Sequence, residues 1–366
     1  MKFKYQDILF ELFRTAMAIL IAFAAAFVIL IFISKTPGRA VASFFLGPFQ
    51  NFTRMANIIE LAIPYVFAGL GMCFMYTVDR FNMSAEGIFL ASGCFGVLIA
   101  FGIERLPVGH IGSLVLVIGG GTALGGLIAF VPAFLREKFQ INEVVVSIMI
   151  NYILLYGVRY ILRMKMKDHS LSYNASYEIP HKALLQNLIP QTRIHTGLLI
   201  AAAVLAAGAW FLLKTSAGYR IRMIGKSPAF ARYCGMNVFM LPLAAQVLGG
   251  MVAGMGGTVE VLGMYERFQW EEFTQYGFDG ILIAVLAGKN PVYVPLAALF
   301  LAYFRTGADI VGRTSDVSYE FAIIIQAMLI LLVAAKHFMD RARNKSKLCQ
   351  AKLTLAGKLP GGGEGR

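Results

Sequence analysis

Long apolar runs separated by short polar breaks fill most of this chain, and the runs are longer than the core helices of a soluble domain. They predict membrane-spanning helices near 15–34, 57–78, 84–101, 111–135, 144–162, 196–213, 241–263, 277–289, 292–306 and 320–336. A backbone facing hydrocarbon has no water to bond and must satisfy its own amides, so each run is read as a helix. The run at 277–289 is too short to cross roughly 30 Å of hydrocarbon at about 1.5 Å per residue, and reads as a broken or tilted piece.

Composition agrees with this pattern. Of 366 residues 58% are hydrophobic and 14% charged, with a mean hydropathy of +0.68. Soluble domains carry about 25% charged residues, so an ordinary globular fold is excluded. The expected fold class is all-α: a polytopic membrane protein of about ten transmembrane helices. One membrane domain would occupy residues 1–340, followed by a basic, glycine-rich, disordered tail at 341–366. The net charge of +13 would suggest nucleic acid in a soluble protein, but in a membrane protein it marks cytoplasmic loops. With both termini cytoplasmic, the inner segments hold nearly twice the Lys and Arg of the outer ones. The first run, at 16–33, is longer than a signal-peptide core of roughly 7–15 residues and is read as a retained anchor. Cys73, Cys94, Cys234 and Cys349 suggest neither a disulfide frame nor a zinc site.

Two stretches resemble each other: Glu86-Gly87-Ile88-Phe89-Leu90-Ala91 and Asp279-Gly280-Ile281-Leu282-Ile283-Ala284. In the expected topology the first helix starts inside and the second outside, so the two read as inverted copies. Inverted repeats with interrupted helices build central pathways. Two similar helix starts are the simpler reading. Gly119-Gly120-Gly121, Gly125 and Gly126, and Gly249-Gly250, Gly254, Gly256 and Gly257 carry the small-xxx-small spacing of close helix packing. Gly225-Lys226-Ser227 lacks the glycine five residues upstream that a Walker A loop needs, since position 220 is Arg. The chain therefore holds no nucleotide-hydrolysing loop of its own, and no enzyme constellation or metal-ligand cluster is apparent.

Polar residues at lipid depth are costly, so they face protein or water. The pathway candidates are Asn82, Glu86, Asn142, Glu143, Asn151, Glu260 and Asp279. Glu60, Gln246 and Gln326 are assigned to helix–helix hydrogen bonds or interfacial placement. For Asn151 interhelical bonding and pathway lining stand level, and for Glu86 and Asp279 a favourable helix N-terminus explains either acid singly. Trp270, with Tyr265, Phe268, Phe273 and Tyr276, is read as an interfacial aromatic belt. No histidine lies well inside a run, which weakens a proton relay. A secondary carrier driven by an ion gradient is the alternative function, and a scaffold or receptor without transport has less in its favour.

Residues 214–240 form a basic inner loop in which Ser227, Pro228 and Gly235 bound a short helix over Ala229 to Cys234. Gly218-Tyr219-Arg220-Ile221-Arg222-Met223-Ile224-Gly225, then Pro228, Ala231, Arg232, Tyr233, Gly235 and Met236-Asn237-Val238, resemble the segment around the coupling helix in permeases of bacterial ATP-binding-cassette importers. The likeness is to the branched-chain amino acid and simple-sugar group, and within it to the nucleoside or simple-sugar branch served by a basic-membrane-protein lipoprotein. Phe81-Asn82-Met83-Ser84-Ala85-Glu86-Gly87, the segment from Asn142 to Tyr152, and Gly277-Phe278-Asp279-Gly280-Ile281 resemble further segments of that family, in order. Ser84, Ile88 and Ser227 depart from its usual residues. The resemblance implies an import permease for a nucleoside or simple sugar in a bacterial inner membrane, binding no cofactor itself. It implies partners: cytoplasmic ATPases carrying ATP and Mg, a second permease, an extracytoplasmic binding lipoprotein and membrane lipid, but no nucleic acid. The ATPase would grip a coupling helix at 227–235 through Gly218, Arg220, Arg222, Gly225, Pro228, Ala231, Arg232 and Gly235.

Overall fold

The computed structural model describes residues 37–104, 107–190 and 192–314. The expected spans at 15–34 and 320–336, Gln326, Cys349 and the tail at 341–366 lie outside the described residues. The described helices are α1 (Pro37–Leu46), α2 (Phe52–Thr77), α3 (Ala85–Ile103), α4 (His110–Phe139), α5 (Glu143–Ile161), α6 (Gly197–Lys214), α7 (Ser216–Lys226), α8 (Pro228–Tyr233), α9 (Met240–Met264), α10 (Tyr276–Leu286) and α11 (Val294–Thr314). Among the described residues, seven helices are long and apolar enough to cross a membrane, and α10 is a shorter apolar one. Each expected span between 57 and 306 corresponds to a helix.

The chain divides into two compact units. In the described part of the first, residues 37–45 and 308–314, Arg313 pairs with Asp309 one helical turn away at 3.0 Å. The second unit, residues 46–307, contains all that follows.

Its core is the seam between α2, α3, α4 and α9. Apolar burial drives little association between helices already in lipid, so close backbone approach and dispersion contacts carry the packing. The glycines make that approach geometrically necessary. A Cβ on Gly71 of α2 would lie 2.7 Å from the Gly249 carbonyl oxygen of α9, and one on Gly249 would lie 2.5 Å from that of Gly71. On the other side of α9, a Cβ on Gly254 would lie 2.6 Å from the Gly121 carbonyl oxygen of α4. By contrast Gly119 faces open space.

Local chemistry sets the helix ends. Asn142 caps α5 by accepting the Val144 N–H at 3.0 Å, and Thr215 caps α7 through the Gly218 N–H at 3.1 Å. The 162–196 connection is ordered by isolated bridges between Lys167 and Ser176, Glu178 and Arg267, and Asn187 and His195. It shares one end of the unit with the 265–275 segment. At the opposite end lie 78–84, where Arg80 pairs with Glu137 at 2.8 Å, and α7, whose Gly225 presses on the Thr77 carbonyl.

Candidate functional site

Helices α3 and α10 both begin inside the bundle, and their starts meet. The Tyr65 and Tyr276 rings are 5.9 Å apart, and a Cβ on Gly280 would lie 2.7 Å from that of Ala68. Tyr65 sits near the middle of α2, so α10 starts at about half its height. Gly87, in the first turn of α3, donates its N–H to Asn151 Oδ1 at 3.0 Å, and Asn151 is central in α5. Gly277 packs directly on the Glu86 backbone, an approach that leaves no room for a side chain.

Glu86, fully buried, receives the start of α10. Its Oε1 accepts the Gln275 N–H at 2.8 Å and the Thr274 hydroxyl at 3.0 Å; its Oε2 accepts the Gly277 N–H at 2.8 Å and the Phe278 N–H at 3.3 Å. Helix N-termini leave unpaired N–H groups and carry partial positive charge, so a carboxylate from another helix completes both needs. Asp279, its counterpart in the similar segment, plays a different part. It pairs with Arg305 at 2.5 Å and accepts the Tyr65 hydroxyl at 2.7 Å, while Arg305 also donates to Tyr65 Oη at 2.8 Å.

The loop before α3 is held the same way. Asn151 Nδ2 donates to the Met83 carbonyl at 2.9 Å, and Ser147 Oγ accepts the Met83 N–H at 3.0 Å. Asn82, fully buried, accepts the Ser84 N–H and donates to Gln246 Oε1, both at 2.9 Å. Asn151 thus brackets irregular backbone, and Gln246 bonds the loop before α3, where a helix–helix bond or interfacial placement was expected. Glu143 is buried facing Gln246, whereas Asn142 is exposed at its cap position. Glu260 is buried and accepts the Tyr276 hydroxyl at 3.2 Å. The structure therefore gathers Asn82, Glu86, Asn151 and Asp279 around the two helix starts and leaves Asn142 outside. Sequence reading gave no role to Tyr65, Thr274 or Arg305, and placed Tyr276 only in an interfacial belt. Arg305 had a signal, a cation within an apolar run, but its partner lies 26 residues away.

The aromatic loop corrects one expectation. Trp270 and Phe268 are buried, with Trp270 5.7 Å from both Tyr265 and Phe268 and 6.4 Å from Tyr276. A Cβ on Gly93 of α3 would lie 2.9 Å from the Trp270 ring. The missing side chain at Gly93 makes room for the indole, so the cluster turns into the bundle and is not an interfacial belt.

At that same end, Arg267 bridges Asp168 and Glu178, each at 2.7 Å. The Ser170 hydroxyl and then Arg267 hold the Asp168 carboxyl down to about 2. Burial pushes the His195 imidazole down to about 4; its Nδ1 accepts the Gly197 N–H at 3.1 Å.

At the opposite end Ser227 caps α8 by accepting the Phe230 N–H at 3.3 Å, Pro228 occupies its first turn, and Gly235 follows it with φ +73. The helix runs from Pro228 to Tyr233, one residue earlier than expected, and the preceding α7 was not anticipated. Of the residues assigned to coupling, Ala231 is fully buried and Gly218 and Gly225 are pressed against backbone carbonyls of α6 and α2. Arg222 donates to the Leu213 carbonyl at 3.4 Å. Arg220, Pro228, Arg232 and Gly235 are exposed, as are two residues the assignment lacked, Phe230 and Tyr233, the latter at 91%.

Comparison with known proteins matches residues 54–334 to the family described as branched-chain amino acid transport system / permease component. The chain is 30% identical over 339 residues to a guanosine ABC transporter permease protein of Bacillus subtilis, covering 90% of this chain and 95% of that one. It is 28% identical to a glucose ABC transporter permease protein of Haloferax volcanii, with 89% and 88% covered. It is 25% identical to a nucleoside ABC transporter permease protein of Lactococcus lactis, with 91% and 93% covered. Nothing in these likenesses supports an ion-driven secondary carrier. A bundle of apolar helices, two of which begin inside it, matched along most of its length, belongs to the branched-chain amino acid transport system permease family and is the membrane permease subunit of an ABC importer.

Proposed function

We propose that this permease carries a nucleoside, or a sugar-like solute of similar size, across a bacterial inner membrane into the cytoplasm. The observation that carries the reading is the relatives' named solutes: guanosine, glucose and nucleosides, in proteins alike over about nine-tenths of the chain. In this reading both termini are cytoplasmic and the end bearing α7 and α8 faces the cytosol. A separate ATPase binds and hydrolyses ATP with Mg and docks on residues 227–235. Ser227 and Pro228 fix the start of α8 and Gly225 seats α7 against α2, so a push on α8 is passed to the α2 end next to the 78–84 loop. That loop enters α3, whose Glu86 holds α10. Helices α3 and α10 then form the element with two arrangements that nucleotide binding biases. A second permease completes the pathway, and an extracytoplasmic lipoprotein delivers the solute at the 162–196 and 265–275 end.

The test is uptake of tritiated guanosine and of labelled glucose into right-side-out vesicles, loaded with ATP, that contain this chain together with its ATPase, second permease and binding lipoprotein. ATP-dependent inward accumulation of guanosine is expected. Accumulation driven by an ion gradient without ATP, or accumulation of neither solute, overturns the reading.

A further inference from the structure

The 265–275 segment does more than connect α9 to α10, because it descends along α5 into the bundle. Glu271 is held at the outer end of α5 by Arg159, which donates to its carbonyl, and by Arg163 at 2.9 Å. Phe273 meets Tyr152 edge-to-face with ring centres 5.5 Å apart, and the Gln275 N–H reaches Glu86 at 2.8 Å. Gln275 itself is left-handed, with φ 67, and exposed. Non-helical backbone at hydrocarbon depth persists only where water or protein covers it, and an amide side chain without a partner costs several kcal/mol in hydrocarbon. Lipid is therefore the wrong neighbour for this face. Beside Gln275 stand Tyr152, 52% exposed, and Phe278, whose ring lies 6.1 Å from that of Phe273.

We propose that Tyr152, Phe273, Gln275 and Phe278 form a solute-facing wall of the pathway, and that the wall selects neutral flat solutes over anions. The aromatic rings offer planes for stacking, and the Gln275 amide offers one acceptor and two donors for a polar ring edge. The preference against anions comes from Glu86. A helix N-terminus facing a pathway ordinarily attracts carboxylates and phosphates, but here Glu86 takes the N–H groups of Gln275, Gly277 and Phe278 and adds a negative charge. This inference rests on the importer reading above and names where its solute is recognised.

The test uses the assembled transporter in membranes, with Cys234→Ser and Cys349→Ser removing the exposed thiol and the tail thiol. Gln275→Cys and, as the lipid-facing control, Leu127→Cys of α4 are treated with a charged, membrane-impermeant methanethiosulfonate. The thiolate forms only in water, so Gln275→Cys should react at least about tenfold faster than Leu127→Cys. Guanosine should slow the reaction, and guanosine monophosphate should not. A rate equal to the control, or equal protection by both compounds, overturns the proposal. Guanosine uptake in the same membranes separates the two readings. Intact uptake with an unreactive Gln275→Cys overturns the wall alone. A reactive Gln275→Cys in membranes that take up glucose but not guanosine keeps the segment in the pathway but overturns the nucleoside reading and the preference for flat solutes.

Discussion

Removing the Glu86 carboxylate should detach the start of α10 from α3. Glu86→Ala strands the backbone N–H groups of Gln275, Gly277 and Phe278 in a buried site, while the Thr274 hydroxyl can rotate to another acceptor. A buried donor left unsatisfied costs about 1–3 kcal/mol. Two of the three bonds are 2.8 Å and the third 3.3 Å, and releasing a buried charge offsets part of the loss, so a net destabilisation of about 3 kcal/mol is expected. Glu86→Gln keeps one acceptor oxygen but turns an NH₂ toward backbone donors, for about half that loss. The assay is unfolding in mixed micelles, followed by the fluorescence of Trp270, whose ring lies 6.4 Å from Tyr276 at the start of α10. A Trp210→Phe background removes the signal of the exposed second tryptophan. Stability should fall in the order wild type, Glu86→Gln, Glu86→Ala. An alanine variant as stable as wild type would refute the capping role.

Three further outcomes follow from the same geometry. Asp279→Asn should lose about 1.5–3 kcal/mol by weakening the charge-assisted bonds of the buried carboxylate to half-buried Arg305 and to Tyr65, and Arg305→Gln in the same chain should add less loss than it does alone; strictly additive losses contradict the pairing. Gly225→Ala should lower the melting temperature, because its methyl group meets the Thr77 carbonyl at an overpacking cost of about 1–3 kcal/mol, whereas Gly157→Ala, with open space around it, should be neutral or slightly stabilising. His195 has a folded value of about 4, below its unfolded value of about 6.5, so its contribution is complete above the unfolded value and declines as pH falls toward 4, by about 3 kcal/mol in total. His195→Gln should flatten that part of the pH–stability curve, and an unchanged slope would exclude His195 as its source.

The apolar runs made the spans between 57 and 306 legible, and length alone marked 277–289 as a broken or tilted piece. Periodicity reports that a helix forms but not how deep it starts. Nothing local distinguishes the 78–84 loop, held by Asn151 and Gln246 within the bundle, from a loop in water. The bonds that define the site join residues far apart in sequence, such as Glu86 to Gly277 and Tyr65 to Asp279, and composition cannot pair them. The inward turn of Trp270 was hidden because its space is created by the absence of a side chain at Gly93. Around α8 the capping residues were legible from their types. The distinction between exposed Phe230 and Tyr233 and buried Ala231 was not, since it depends on which face of one helical turn meets the protein.

Placing a photo-reactive benzoylphenylalanine at Tyr233 in the assembled transporter tests the central claim, that α8 is the contact through which an ATPase moves α3 and α10. Irradiation of membranes should yield one adduct, with the ATPase subunit, whose yield changes when ATP is replaced by ADP. Adducts with lipid alone, or with a protein on the opposite side of the membrane, would contradict it.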